Sequence, residues 1–348
     1  MSGGDVSQHR PADADRYSRQ TLLPGVGVKG QARLADSTAV VVGCGALGSV
    51  SAPLLVRAGV GRVRLIDRDW VEVSNLQRQA LFTQADAEAR TPKAVAAAAA
   101  CRAYNPEVEV EHHVADVMPG NVLSLLADAD VIVDGLDNFE TRYLLNDAAH
   151  RLGIPYVYGG ALRHTGMVWP IVPPGQDLLD LFPEPPAAGS TPTCESAGVW
   201  GPTTHMVASL QTSEALKLLT GDQASVSPGL FRFDLRAGEH TLIRVPTKAD
   251  RPPRRHFPFL DAPTQPAVRL CGGGAVHLQL GRSLDPSALV EAWRGHPSLK
   301  IETVNPHLAR VRCDAEHTLT LFRDGRVVVH GTTEPAEARS LVDRWIGR

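Results

Sequence analysis

The run TAVVVGCGALGS at residues 38–49, followed by RVRLID at 62–67, limits what this chain can become more than any other feature. A short apolar strand enters a turn with glycines at Gly43, Gly45 and Gly48. The turn opens a helix reaching about Ala58, and a second strand ends on Asp67. Glycines so placed let backbone amides and a helix N-terminus approach a phosphate. Asp67 falls 19 residues after Gly48, where an acid reaches a ribose hydroxyl. The two strands and their helix form a β-α-β unit that predicts a nucleotide site.

The alternation continues with helix 91–104, strand 108–113, helix 120–128, strand 131–135, helix 138–152 and strand 155–161. An antiparallel strand near 166–172 follows, then a Pro/Gly/Glu-rich segment 173–202, helix 203–219 and two strands near 230–245. This order predicts an α/β fold: a doubly wound, Rossmann-like, mostly parallel sheet with antiparallel strands at its C-terminal end. Residues 246–267 hold six prolines and read as a linker. Beyond them, strands near 275–280, 299–304, 308–313, 317–322 and 326–330, with helices 286–294 and 334–346, predict a small α+β domain. RDGR at 323–326 is its hairpin turn. The expected layout is a flexible start at 1–15, a main domain at 16–245, the linker, and an appendage of unknown role at 268–348.

Composition narrows the function. Lys plus Arg number 35 against 38 Asp plus Glu, so a surface devoted to nucleic acid is not expected. The opening MSGGDVSQHRPADAD lacks an apolar core, and no stretch reaches the length of a membrane span, so neither export nor insertion is expected. The five cysteines form no CxxC pair, which points away from a disulfide framework and toward the reducing cytoplasm.

A glycine turn and an acid would suit an NAD-dependent oxidoreductase, but the following motifs do not. SNLQRQ at 74–79 puts Arg78 in a polar loop beyond the acidic strand end. TPK at 91–93 reads as N-cap Thr91, Pro92 at the first helical position and then Lys93, a cation where the helix dipole disfavours one. A bound anion would explain it. VIVDGLDNFETR at 131–142 ends a strand on Asp134 and sets Asp137 and Asn138 at the carboxyl edge of the sheet. There Asp137 could hold Mg²⁺ or cap the next helix.

RYSRQ (16–20), GCGALGS (43–49), LIDRDWVEVSNLQRQ (65–79), TPK and DGLDNFETR, in this order, resemble the ThiF/MoeB/HesA family of ubiquitin-activating-enzyme-like adenylyltransferases over about residues 16–245. The resemblance implies an ATP site in which the loop around Gly45 covers the phosphates and Asp67 holds the ribose. Asn75, Arg78 and Lys93 would grip the triphosphate, with Asp137 on Mg²⁺. It adds Asp69, Ser74, Gln77 and Asn138 to the nucleotide-binding set. Arg19 matches an arginine that the family supplies from a second subunit, so the resemblance implies a homodimer.

It further implies a substrate: the C-terminal carboxylate of a small ubiquitin-like carrier protein ending in Gly-Gly. That carboxylate, with a pKa near 3.5, is already ionised at neutral pH and needs no general base. The difficulty is charge repulsion from the triphosphate, and Arg19, Arg78, Lys93 and Mg²⁺ would relieve it. Cys194, in TPTCESAGVWGP, matches the family's loop cysteine and would carry a thioester or persulfide-linked intermediate, with a sulfur-donor protein as a further partner. Where many relatives bind zinc through paired CxxC motifs, this chain has Asp177 and Asp180 and no cysteine in 246–267, so zinc is not expected. A relative serving protein conjugation is the neighbouring alternative. Cys271, beside three glycines, and His330 carry no motif that assigns them a role.

Overall fold

The computed structural model describes residues 16–186, 197–248, 250–262, 267–270 and 274–347. Two sheets organise it. The larger has eight strands: β1 (Thr38–Val42), β2 (Arg62–Asp67), β3 (Glu109–Val114), β4 (Val131–Asp134), β5 (Tyr156–Leu162), β6 (Thr165–Ile171), β7 (Gly229–Asp234) and β8 (Glu239–Arg244), in the order β3-β2-β1-β4-β5-β6-β7-β8. β3 through β5 pair parallel, and β5 through β8 pair antiparallel.

The parallel half is wound on both faces by α1 (Gly27–Asp36), α2 (Gly48–Ala58), α3 (Gln84–Glu88), α4 (Lys93–Tyr104), α5 (Val122–Leu125), α6 (Phe139–Leu152) and α7 (Gly201–Thr220). β1 shows why its sequence is apolar throughout. Ala39 and Val41 enter the core under α2, α4 and α7, while Val40 and Val42 enter the opposite core under α5 and α6. A strand buried on both faces reads as a continuous apolar run.

The second sheet has six strands: β9 (Ala267–Leu270), β10 (Ala275–Gln279), β11 (Lys300–Val304), β12 (Leu308–Arg312), β13 (Thr318–Phe322) and β14 (Arg326–His330), ordered β11-β12-β13-β14-β10-β9 and antiparallel throughout. Helices α8 (Pro286–Trp293) and α9 (Pro335–Trp345) belong to this half, and Val290, Ala338, Leu341 and Val342 pack into its core. Gly325, with φ +84, makes the β13–β14 turn.

The structure departs from the sequence reading in several places. α1, α3 and β9 were not anticipated. α4 begins at Lys93 with Pro92 as its N-cap, because Pro92 bridges to Trp70 and takes an extended ψ of 136 instead of entering the helix. Among its described residues up to 262, the segment after β8 forms no helix or strand, yet it is fastened to the main sheet's side of the molecule. No helix among the described residues is long and apolar enough to cross a membrane.

Candidate nucleotide site at the switch point

Strand order reverses between β1 and β4, so a crevice opens at their carboxyl ends, the place where doubly wound sheets bind ligands. The backbones there approach closely. Gly43 N donates to Ile66 O at 2.8 Å and Gly135 N to Val42 O at 2.7 Å. A Cβ on Gly43, which has φ +91, would lie 2.6 Å from Gly135 O, and one on Gly48 would lie 1.9 Å from Gly43 O. These two glycines are demanded by the fold. Gly45 differs, since a Cβ there would meet nothing closer than 3.9 Å, and the space it leaves faces the crevice turn. Beside it Gln79, buried, carries an Oε1 without a hydrogen-bond partner. α2 starts without a side-chain cap. An open glycine, an uncapped helix N-terminus and an unpaired buried amide oxygen fit the approach of a polar ligand.

The acid at the end of β2 is fixed. Asp67 accepts from Cys44 N at 2.6 Å and from Asp69 N at 2.7 Å. Burial pushes its carboxyl above the usual range, against the opposing pull of Lys93 and the two backbone donors. Asp69, exposed, faces Lys93, whose Nζ lies 3.5 Å from Asp69 Oδ2. Lys93 is 8% exposed. Burial alone would lower its ammonium, but Asp69, Asp67 and Asp137 outweigh that and raise it, so Lys93 is a firm cation. The backbone reinforces the pairing, with Lys93 N donating to Asp69 O at 2.8 Å and Val71 N to Thr91 O at 2.9 Å.

The loop after β2 forms a 3-10 turn at Val73–Asn75. Asn75 Oδ1 accepts from Glu72 N at 3.1 Å, so half of its amide maintains the turn. Arg78 Nη1 donates to Ser74 O at 3.0 Å, and the exposed Gln77 lies by the start of α7, where a Cβ on Gly201 would be 3.2 Å from Gln77 O. Across the crevice, Asn138 rather than Asp137 caps α6, accepting from Thr141 N at 2.9 Å. The Asp137 side chain is thereby left exposed and without a hydrogen bond among the described residues. The strand end behind it is rigid. Asp134 is fully buried and takes Arg142 Nε at 2.9 Å and Tyr156 OH at 2.8 Å, while Arg142 Nη2 holds the carbonyls of Leu136 and Gly159 at 2.7 Å each.

Two expected residues stand apart. Arg19 is exposed in a turn whose Tyr17 packs against Gly59, at the C-terminal end of α2. With α2 running from Gly48 to Ala58, Arg19 sits about 15 Å along the helix from the glycine turn. Cys194 lies outside the described residues. The sequence reading missed Gln79, although it is the last residue of SNLQRQ, and the residues that the second sheet presents to the loop after β2.

Asp177 and Asp180, at the positions expected to lack zinc, lie in a cluster of charges. Asp180 Oδ1 is 2.6 Å from Lys248 Nζ and 2.5 Å from Arg251 Nη2, while Asp177 Oδ2 is 3.4 Å from Arg254 Nη1 and 3.5 Å from His150 Nε2. Arg254 Nη2 also lies 2.8 Å from Asp147 Oδ1. Among the described residues no group of three or more His, Cys, Asp or Glu is arranged to hold a metal.

The geometry defines a doubly wound α/β protein whose switch point carries an ordered acid and a buried lysine. Comparison with known proteins makes this specific, because the ThiF family model matches residues 17–253 and the chain belongs to that family. It is 42% identical over 341 residues to the sulfur carrier protein ThiS adenylyltransferase of Bacillus subtilis, covering 95% of this chain and 99% of that one. It is 40% identical over 262 residues to the SAMP-activating enzyme E1 of Haloferax volcanii, covering 75% and 90%. Among solved structures, Escherichia coli MccB aligns with TM-score 0.59 at 20% identity over 67% of this chain and 72% of its own, a likeness of fold.

Proposed function

We propose that the protein is an ATP-dependent adenylyltransferase that activates the C-terminal carboxylate of a ubiquitin-like sulfur carrier, giving an acyl-adenylate and pyrophosphate. One observation carries this reading: a buried, firmly cationic Lys93 opens a helix beside a fixed acid at the switch point. That arrangement suits a polyphosphate held against a ribose. The similarity to a ThiS adenylyltransferase along nearly the whole chain supports the sulfur-carrier substrate.

When bound, ATP with Mg²⁺ supplies the electrophilic phosphorus and the pyrophosphate leaving group. Asp67 would hold the ribose hydroxyls and Gly45 would leave room for the phosphates. Lys93 and Arg78 would offset triphosphate charge as the carrier carboxylate approaches. Asp137, one exposed carboxylate, suits an ion that shares itself with substrate phosphates. Arg19, remote from its own chain's glycine turn, fits service to the crevice of a second copy. Cys194 would accept the activated acyl group or pass sulfur, and at most about 10 Å of chain separates it from Ala197, where the described fold resumes.

The test is pyrophosphate–ATP exchange with a carrier ending in Gly-Gly. Exchange should require the carrier and should fall at least about a hundredfold in Lys93→Met, the loss typical of a removed transition-state cation. Nicotinamide reduction without any exchange would refute the reading.

A further inference from the structure

We propose that Arg326, carried to the nucleotide loop by the second sheet, is a positioning residue for the adenylating site: it takes over the Asp69 carboxylate when Lys93 turns to the triphosphate. The proposal rests on the adenylating reading above and gives the C-terminal half a part in it.

In the second sheet β10, β13 and β14 alternate strictly. Val276, Leu278, Leu319, Leu321, Val327 and Val329 enter the core shared with α8 and α9. The intervening His277, Thr320, Phe322, Arg326, Val328 and His330 therefore share the other face. A mixed polar face of an antiparallel sheet ordinarily meets water. This one meets the loop after β2. Trp70 and Val114 pack against Ala275, Leu308, Phe322 and Val328, and the Trp70 and Phe322 rings lie 5.9 Å apart. His277 Nδ1 lies 3.2 Å from Asp116 Oδ2, and Asp116 also faces Arg68 Nη1 at 3.3 Å.

A cavity of about 50 Å³ remains between the two surfaces, with Arg68, Asp69 and Trp70 on one wall and His277, Arg326 and His330 on the other. Arg326 is 2% exposed and lies over the Phe322 ring at 3.8 Å. Its Nε is 3.5 Å from Asp324 Oδ2, but neither Nε nor Nη2 makes a hydrogen bond. Idle donors on a buried guanidinium are costly. Asp69, across the same cavity, is occupied by Lys93 at 3.5 Å and Arg68 at 3.7 Å. A triphosphate that draws the Lys93 ammonium toward itself weakens its already long contact with Asp69 and leaves that carboxylate with Arg68 and room for a second cation. Arg326 already acts on that carboxylate at a distance and carries the unused donors to receive it.

Calorimetric ATP titration without carrier separates this proposal from the function it rests on. Wild type that binds no ATP would sink the adenylating reading itself. With ATP bound, Arg326→Gln should weaken affinity roughly tenfold and raise KM for ATP while kcat changes less than about twofold, as loss of a charge-assisted hydrogen bond implies. Arg326→Lys should recover most of the affinity. In an Asp69→Asn background, Arg326→Gln should have no further effect, because the shared partner is gone. Unchanged affinity in Arg326→Gln, or an additive loss in the double variant, would overturn the proposal. Should Arg326→Gln not fold, hydrogen exchange at the Arg326 Nε–H, assigned by its absence in Arg326→Lys, decides. It should slow on ATP addition, and unaltered exchange counts against the relay.

Discussion

At the scale of single residues, the glycine turn divides into positions that the fold demands and one that it leaves open. Gly43 combines φ +91 with a Cβ position 2.6 Å from Gly135 O, so Gly43→Ala should cost about 2 kcal/mol or more. Gly45 has open space around it. Gly45→Ala should stay within about 0.5 kcal/mol of wild type yet lose ATP affinity. Thermal unfolding with ATP titration distinguishes them, and an equal loss of stability at both positions would mean that Gly45 too is structural. The spacing of the three glycines was legible in the sequence. Their separate duties were not, because they depend on Gly135, brought up by a strand far along the chain. Asp67 was legible for the opposite reason: strand, turn, helix and strand are contiguous, so its position follows from local structure alone. Gln79 was passed over since nothing in its neighbours shows that its amide oxygen is left buried and unpaired.

At the scale of elements, strands and helices were readable wherever local patterning decided them. RVRLID and RVVVH became strands over those very residues, Arg62–Asp67 and Arg326–His330. α1 was missed because Gly27 and Gly30 interrupt its ten residues, and it is held by burial of Gly30, Gln31 and Leu34, which is a tertiary effect. The proline-rich stretch after β8 read as a linker, and in sequence nothing marks its attachment. The attachment is ionic and long-range. Asp147, on α6, accepts from Phe259 N at 2.8 Å and Leu260 N at 3.2 Å and faces Arg254, with side-chain exposure of 1% for the acid and 14% for the arginine. Removing the arginine strands a buried carboxylate. Arg254→Met should therefore cost about 3 kcal/mol in urea unfolding, the usual loss when one partner of a buried pair is deleted. A loss below about 1 kcal/mol would place the pair among solvated surface bridges.

At the scale of the whole molecule, one association joins two halves of the chain, and a second, between chains, is what the homodimer proposal requires. Within the chain, Asp116 ties the second sheet to the loop after β2, through His277 on one side and Arg68 on the other. Burial would raise its carboxyl, but the hydrogen bond with His277 and the charges of Arg68 and Arg326 prevail and hold it at about 2. The folded value lies below the unfolded one, so the contribution is complete above about pH 4 and is lost as the pH falls toward 2. Asp116→Asn should cost about 2 kcal/mol at neutral pH, and the deficit should shrink across that acid window. A deficit independent of pH would mean that the carboxylate's charge is not what joins the halves. This contact was not legible in the sequence, because a polar sheet face looks the same whether it meets water or a partner surface.

Between chains, the position of Arg19 makes a sharper demand. It lies beyond the far end of α2, about 15 Å along the helix from the turn that its charge is expected to serve, so its own crevice is out of easy reach. If each crevice of a two-fold dimer borrows Arg19 from the other copy, Arg19→Ala and Lys93→Met damage different halves of one composite site. Each variant alone should be nearly inactive. After mixing in equal amounts with subunit exchange, half of the dimers are heterodimers, and each has one site carrying both lesions and one carrying neither. Pyrophosphate exchange should then recover to about a quarter of wild type. Recovery that stays at the level of the separate variants, despite demonstrated subunit exchange, would assign Arg19 to its own chain's site or to none.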